Sequence, residues 1–177
     1  IVDATIQGND KDLDGKYLKG RIAFAEDKLD DAKTRFGEVV KKDASMARAR
    51  LYNGLTEIRL GQTDVGKKEV EEAVKLDPAN ARSQLVLGGI YLQTGAPAAA
   101  EKAAVEVLRR NPSNVQAATL LADSFLLRKD WKKAEQVYPA MIKHMPTSEL
   151  GYMKMGVSRK LPGKSWAAAG LFAQARA

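Results

Sequence analysis

Hydrophobic residues recur along the chain at spacings of three and four, which is the pattern of amphipathic helices and not of strands. Polar stretches that contain Gly, Pro, Asp or Asn interrupt the pattern at regular intervals. We therefore predict an all-α fold of ten helices. These helices cover residues 13–26, 29–42, 46–60, 63–76, 80–94, 97–110, 114–128, 131–144, 148–161 and 164–177.

The helical pattern repeats every 34 residues, a period that indicates stacked helical hairpins. The dipeptides Asp77-Pro78, Asn111-Pro112 and Met145-Pro146 follow this period. One column of small residues comprises Gly20, Gly54, Gly88, Ala122 and Gly156. A second comprises Ala32, Gly66, Ala100, Ala134 and Ala168. A bulkier column comprises Phe36, Val70, Ala104, Tyr138 and Phe172, and another Val40, Val74, Leu108 and Ile142.

The small columns have a physical reason. A glycine inside a helix costs about 0.8–1 kcal/mol relative to alanine, so its repeated use predicts that two helix backbones cross closely there. Gly61, Gly95 and Gly163 fall between the two helices of a unit, where a turn with positive φ favours glycine. The prolines end the second helix of each unit.

This pattern resembles the tetratricopeptide repeat family. The third unit carries the resemblance best, through Leu87, Gly88, Tyr91, Gly95, Ala100, Leu108 and Pro112. The fourth unit matches at Leu121, Ala122, Phe125, Trp131, Ala134, Tyr138 and Pro146. The units depart from the family pattern at Lys19, Ala44, Asn53, Glu57 and Arg159. The resemblance implies a right-handed superhelical solenoid of antiparallel hairpins, whose concave face is built from the first helix of each unit.

The period divides the chain into five units. They cover residues 13–46, 47–80, 81–114, 115–148 and an incomplete 149–177. Residues 1–12 are expected to be the tail of a preceding repeat or a disordered lead. We expect a fragment of a longer array, because no polar cap covers the last apolar face. The alternative is a whole small protein that caps itself by pairing with another copy.

The charge and the reactive residues favour a binding protein over an enzyme. The net charge is +7, and its lysines and arginines are spread along the chain, as on a solvated helical surface. Cysteine is absent and His144 is the single histidine, so no metal site or cofactor is expected. Gly163-Lys164-Ser165 lacks the earlier glycine of a phosphate-binding loop, since Ser158 stands there.

The family resemblance implies that a partner peptide or helix binds in the concave groove. The predicted groove residues are Tyr17, Arg21, Arg48, Leu51, Leu55, Arg59, Arg82, Leu85, Leu92, Thr119, Asp123, Leu126 and Met153. Inter-hairpin packing is expected to bury some of them. The family's carboxylate clamp for chaperone tails is not expected, since Arg82 alone has the required charge at the equivalent places.

Arginines beside leucines suit a partner segment that is amphipathic and acidic. We therefore expect a protein-binding scaffold of a larger bacterial protein of an assembly, secretion or exopolysaccharide-export system, with a lean towards the periplasm or cell envelope. Two alternatives stay open, an RNA-binding helical repeat and a self-assembling structural array that associates through uncapped ends. No apolar run reaches the roughly 20 residues that cross a bilayer.

Overall fold

The computed structural model of the chain describes residues 12–144, and this span contains eight α-helices and no strand. The helices are α1 Leu13–Ala25, α2 Leu29–Lys42, α3 Ala47–Arg59, α4 Thr63–Leu76, α5 Ala81–Gln93, α6 Pro97–Arg110, α7 Val115–Leu127 and α8 Trp131–His144. Their bounds differ from the predicted ones by at most one residue at either end. The predicted helices at 148–161 and 164–177 lie outside the described residues.

The described residues fall into two compact units, 12–83 and 84–144, and α5 begins in the first and continues into the second. In the first unit, α1 packs on α2, α2 on α3 and α3 on α4, and α1 also reaches α3. In the second unit, α6 packs on α7 and α7 on α8. Neighbouring helices in the sequence are therefore neighbours in space, as in stacked hairpins.

The same hydrogen-bonded turn links successive hairpins. In each case an Asp or Asn carboxyl or amide oxygen accepts from the backbone N–H two residues later, at 2.9 Å for Asp43, 3.2 Å for Asp77 and 3.2 Å for Asn111. This turn sets the chain direction without help from proline. It explains why the hairpin link at Asp43 keeps its geometry although Ala44 stands where the later links have proline.

The bulky column of the repeat forms the core of both units. Phe36, Val70, Ala104 and Tyr138 have no exposed surface. Each lies on the second helix of its hairpin, and Phe36 and Val70 pack against Gly20 and Gly54 of the first helix. Burying a side chain of the size of Phe36 or Val70 is worth roughly 1.5–3 kcal/mol, and the small Ala104 contributes less.

Two glycines of the small columns bring α3 and α4 into backbone contact, as predicted. A Cβ built on Gly54 of α3 would lie 2.7 Å from the carbonyl oxygen of Gly66 on α4, and one on Gly66 would lie 2.5 Å from the carbonyl oxygen of Gly54. Real Cβ atoms do not approach backbone that closely, so only glycine fits at both places. At Gly88 and Gly20 the neighbours are instead the side chains of Leu120 and Phe36.

A left-handed residue follows the first helix of every described hairpin. Gly61 and Gly95 have φ values of +82° and +73°, which confirms the predicted turns. At the same repeat position, Asp27 and Lys129 adopt φ values of +61° and +59°. Left-handed backbone is unfavourable for such side chains, so the hairpin geometry imposes it where glycine is missing.

Glu57 departs from the family pattern, and the structure supplies its partner. Its side chain is buried, with 5% of the residue exposed. The Lys33 ammonium of α2 donates to the Glu57 carboxylate at 3.1 Å. The charge is tolerated in the first unit because it is paired, and losing Lys33 would leave a buried carboxylate unpartnered.

We expect Gly66→Ala to destabilise the chain and Gly37→Ala to stabilise it. The methyl group added at position 66 would force α3 and α4 apart, and overpacking of this kind costs about 1–3 kcal/mol, more than the ~1 kcal/mol that alanine gains in helix propensity. At Gly37, a Cβ would meet no atom within 4 Å, so only the propensity gain remains. Denaturant unfolding of the two variants checks this, and equal shifts would contradict the close crossing.

Candidate functional site

Four arginines lie over aromatic rings in the first unit. Arg21 and Arg82 lie over the ring of Tyr52, with Cζ–centroid distances of 5.3 and 4.9 Å. Arg48 lies over Tyr17 at 5.1 Å, and Arg59 over Phe24 at 4.7 Å. We call these seven residues the arginine–aromatic layer. A guanidinium held over a ring is attracted by the ring quadrupole and keeps its N–H groups directed outward.

The aromatic rings of this layer pack against one another and against the ring of Phe36. Tyr52 is central, with centroids 5.8 Å from Tyr17, 5.8 Å from Phe24 and 5.6 Å from Phe36. Tyr17, Tyr52 and Phe36 are buried, so their rings are fixed by packing. Burial raises the pKa of the Tyr17 hydroxyl, an effect that the nearby Arg21 opposes. Tyr17 therefore stays neutral at physiological pH.

Two of the four arginines are engaged by carboxylates of the same unit. Arg48 on α3 pairs with Asp14 on α1, one repeat earlier. Arg59 donates to Asp27 at 2.6 Å and to the Phe24 carbonyl oxygen at 3.1 Å. These contacts join the first helices of successive hairpins and use the N–H groups of both side chains.

The other two arginines have no such partner. Among the described residues, neither Arg21 nor Arg82 forms an ion pair, and both side chains are exposed. Since both lie over the Tyr52 ring, their Cζ atoms are within about 10 Å of each other. The sequence predicted four equivalent groove arginines, whereas the structure separates them into two engaged and two open ones.

The second unit contains an apolar concavity of about 500 Å³. Its lining residues are Leu92, Gln93, Asp123, Leu126, Leu127 and Trp131. We call it the leucine pocket. It brings together three predicted groove residues, Leu92, Asp123 and Leu126, from α5 and α7. Within residues 12–144, Asp123 is the charged member of this lining.

The remaining predicted groove residues differ in how far they are buried. Leu51 is only 3% exposed, so it belongs to the core and offers no surface to a partner. Leu55 packs against the ring cluster of the first unit. Leu85 packs against the small cluster of Ala100, Ala104 and Leu120. Met153 lies outside the described residues.

Three lining residues of the leucine pocket were not predicted from the sequence, namely Gln93, Leu127 and Trp131. Gln93 and Leu127 share one repeat position with Arg59, which was predicted to face the groove. Leu127 could have been predicted from its repeat position. The two preceding repeats carry the polar residues Arg59 and Gln93 there, so a leucine at this position indicates an apolar patch. Trp131 was assigned to the family pattern and not to a site.

Two buried hydroxyls belong to the second unit. Within residues 12–144, the Thr119 and Tyr138 hydroxyls are buried and have no hydrogen-bond partner. Burial, with a smaller contribution from the nearby Asp123 charge, raises the pKa of Tyr138 to about 12. Only the Thr119 hydroxyl is buried, since the residue as a whole is partly exposed, and its place in the groove stays a prediction.

No cofactor chemistry is visible in the described span. Between residues 12 and 144, no three His, Asp or Glu side chains gather where they could hold a metal ion. In the same span, every helix is too short or too polar to cross a membrane.

The comparisons with known proteins now decide the family. Two tetratricopeptide repeat models match the chain, one over residues 17–64 and one over residues 57–123. The chain belongs to the tetratricopeptide repeat family. The predicted family and its all-α helical-repeat fold are thus confirmed, and the family supports a role as a protein–protein interaction scaffold.

Solved structures agree on the fold of this tetratricopeptide repeat protein. Two crystal structures of MamA are 21% and 20% identical, with TM-scores of 0.81 and 0.83. The first match covers 89% of this chain and 92% of that one, the second 92% and 89%. A tetratricopeptide repeat protein from Parabacteroides merdae is 17% identical, with a TM-score of 0.79 over 96% of this chain and 68% of that one. Comparison with curated proteins gives no match.

We expect Tyr138→Phe to leave stability at neutral pH unchanged or raise it slightly. The substitution removes a buried hydroxyl that has no partner among the described residues, at no cost in packing. Because the folded-state pKa of Tyr138 lies above its ordinary value of 10.0, folding binds the proton more tightly. The parent should therefore lose stability as pH rises from 10 to about 12, and the variant should lose less. Denaturant midpoints across that pH range test both statements.

Proposed function

We propose that this tetratricopeptide repeat protein is a binding scaffold, without catalytic activity, whose first unit captures an amphipathic acidic segment of a partner protein on the arginine–aromatic layer. The observation that carries this proposal is the open pair of guanidinium groups, Arg21 and Arg82, held over one buried tyrosine ring.

Stacking prepares these two arginines for a carboxylate. An arginine over a ring has fewer side-chain conformations to lose on binding, and its planar fork matches a carboxylate with two parallel hydrogen bonds. Their spacing, within about 10 Å, allows two acidic side chains one or two turns apart on a helix, or two residues apart on an extended strand, to be bound together.

The apolar part of the partner would contact the partly exposed rim of the ring cluster. Phe24 and Leu55 pack against that cluster and are only partly buried. Each lies on a first helix, α1 for Phe24 and α3 for Leu55, as do Arg21 on α1 and Arg82 on α5. A segment with acidic residues on one side and aliphatic residues on the other would satisfy both halves of this surface.

Arg48 and Arg59 have a different role in this proposal. Their ion pairs with Asp14 and Asp27 hold α1 against α3, and so keep the rings beneath the open arginines in place. The net charge of +7 adds a long-range attraction for acidic partners, which salt screens over about 10 Å. The bacterial assembly, secretion or export system expected from the sequence stays a prediction, because no described contact bears on it.

A display library of random dodecapeptides tests the proposal directly. We expect peptides that bind the parent to include a group enriched in Asp and Glu next to Leu, Ile or Val. The double variant Arg21→Glu with Arg82→Glu should weaken binding of those acidic peptides by at least about tenfold, because each carboxylate loses its partner and meets a like charge.

The matched control is Lys41→Glu with Lys68→Glu, which changes the net charge by the same amount. Both lysines are exposed on second helices of the first unit, α2 and α4, outside the arginine–aromatic layer. This control should reduce binding only slightly, through long-range attraction. If control and test variants weaken acidic peptides equally, or if the parent selects none, the proposal is wrong. Circular dichroism of each variant confirms that it is folded.

A further inference from the structure

Two tyrosine hydroxyls lie in the arginine–aromatic layer without a partner. Tyr17 and Tyr52 are buried, with 7% and 6% of their surface exposed, and their ring centroids are 5.8 Å apart. Within residues 12–144, neither hydroxyl takes part in a hydrogen bond. A polar group on so buried a residue normally has a partner, so a bound molecule is a natural candidate for that partner.

Both hydroxyls reach the surface of the first unit. In the described span, the unpartnered hydroxyls that are fully enclosed belong to Thr119 and Tyr138 of the second unit. Those of Tyr17 and Tyr52 are unpartnered but not fully enclosed, so the small exposed part of each residue includes its hydroxyl oxygen. A bound group can therefore reach both hydroxyls while the two rings stay buried.

Three guanidinium groups lie over the rings of these two tyrosines. The Arg21 Cζ lies over both rings, 5.9 Å from the Tyr17 centroid and 5.3 Å from the Tyr52 centroid. Arg82 lies 4.9 Å from the Tyr52 centroid, and Arg48 lies 5.1 Å from that of Tyr17. Burial raises the pKa of the Tyr17 hydroxyl, whereas the charges of the three arginines lower it. This hydroxyl is therefore a neutral donor in a field that attracts anions.

We infer that the Tyr17 and Tyr52 hydroxyls donate hydrogen bonds to a carboxylate of the partner segment that the Arg21 guanidinium binds. The inference rests on the proposed function and names the residues that recognise the partner's acidic group. A carboxylate has about four acceptor positions, and a guanidinium fork fills two of them. The two phenol hydroxyls supply donors for the others without adding charge.

Such a site recognises the acceptor atoms of a carboxylate and not only its charge. A glutamine or asparagine amide has N–H groups in place of one acceptor oxygen, and these would face a site made of donors. Attraction between exposed charges weakens as salt rises, whereas hydrogen bonds from neutral hydroxyls persist. The hydroxyls therefore make the layer selective for a carboxylate that fits against Arg21 and both rings.

The test removes the hydroxyls and keeps the rings, with the acidic dodecapeptides selected by the parent chain as probes. Tyr17→Phe with Tyr52→Phe preserves the aromatic surface under the arginines, and circular dichroism checks that the variant is folded. We expect the double variant to weaken peptide binding by about tenfold, and each single variant by about threefold. The ratio to the parent should be the same at low and high salt, because no charge changes. The matched control, Tyr138→Phe, also removes an unpartnered hydroxyl and should change binding by less than about twofold.

A double-mutant cycle separates a direct contact from an indirect effect. Replacing the bound glutamate of a selected peptide by glutamine should weaken binding to the parent more than binding to Tyr17→Phe with Tyr52→Phe. Equal losses, or a double variant that binds as tightly as the parent, would overturn the inference while the proposed function stands. Both fail if the parent selects no acidic peptide, or if Arg21→Glu with Arg82→Glu weakens binding no more than the lysine control does.

Discussion

The close crossing of α3 and α4 is the constraint on which the first unit depends. Gly54 and Gly66 face each other so closely that a Cβ on either would lie within 2.7 Å of the other's carbonyl oxygen. Because the two backbones touch there, Val70 of α4 can be buried completely against α3. The position of α3 in turn places Tyr52 against Tyr17 and Phe36, and places Arg48 and Arg59 beside their carboxylates on α1.

Repetition of one hairpin lets the same position serve different purposes. The residue at the end of the first helix is Arg59 in one hairpin, where it joins two helices through Asp27 and the Phe24 carbonyl oxygen. Two periods later it is Leu127, which stabilises no such contact and leaves a concavity. Since the backbone is set by glycines, turns and buried columns, these outer positions can vary without cost to the fold. We therefore expect binding sites in such an array at exposed repeat positions where one repeat carries a different type of residue from the other repeats.

The helices and turns could be predicted from the sequence, whereas the exposure and pairing of the groove residues could not. Helix bounds follow from apolar spacing and from turn residues such as Asp77 and Gly61, which act locally and can be recognised one at a time. The left-handed φ of Asp27 and Lys129 also follows from register, once the glycines at the same position are noticed. The burial of Leu51 and the pairing of Arg48 and Arg59 do not follow, because they depend on which side chains of two different hairpins meet. The sequence does not distinguish the four arginines. Their contacts do, because Arg48 and Arg59 are ion-paired, whereas Arg21 and Arg82 form no ion pair among the described residues.

The most direct measurement records the arginine Nε–H resonances in a heteronuclear NMR spectrum while an acidic peptide selected by the parent chain is added. If two open guanidinium groups receive the partner, the signals of Arg21 and Arg82 should move together and saturate at one peptide per chain. Those of Arg48 and Arg59, already held by Asp14 and Asp27, should move much less. Movement confined to arginines of the second helices, such as Arg35 or Arg109, or equal movement of all arginines, would contradict the account.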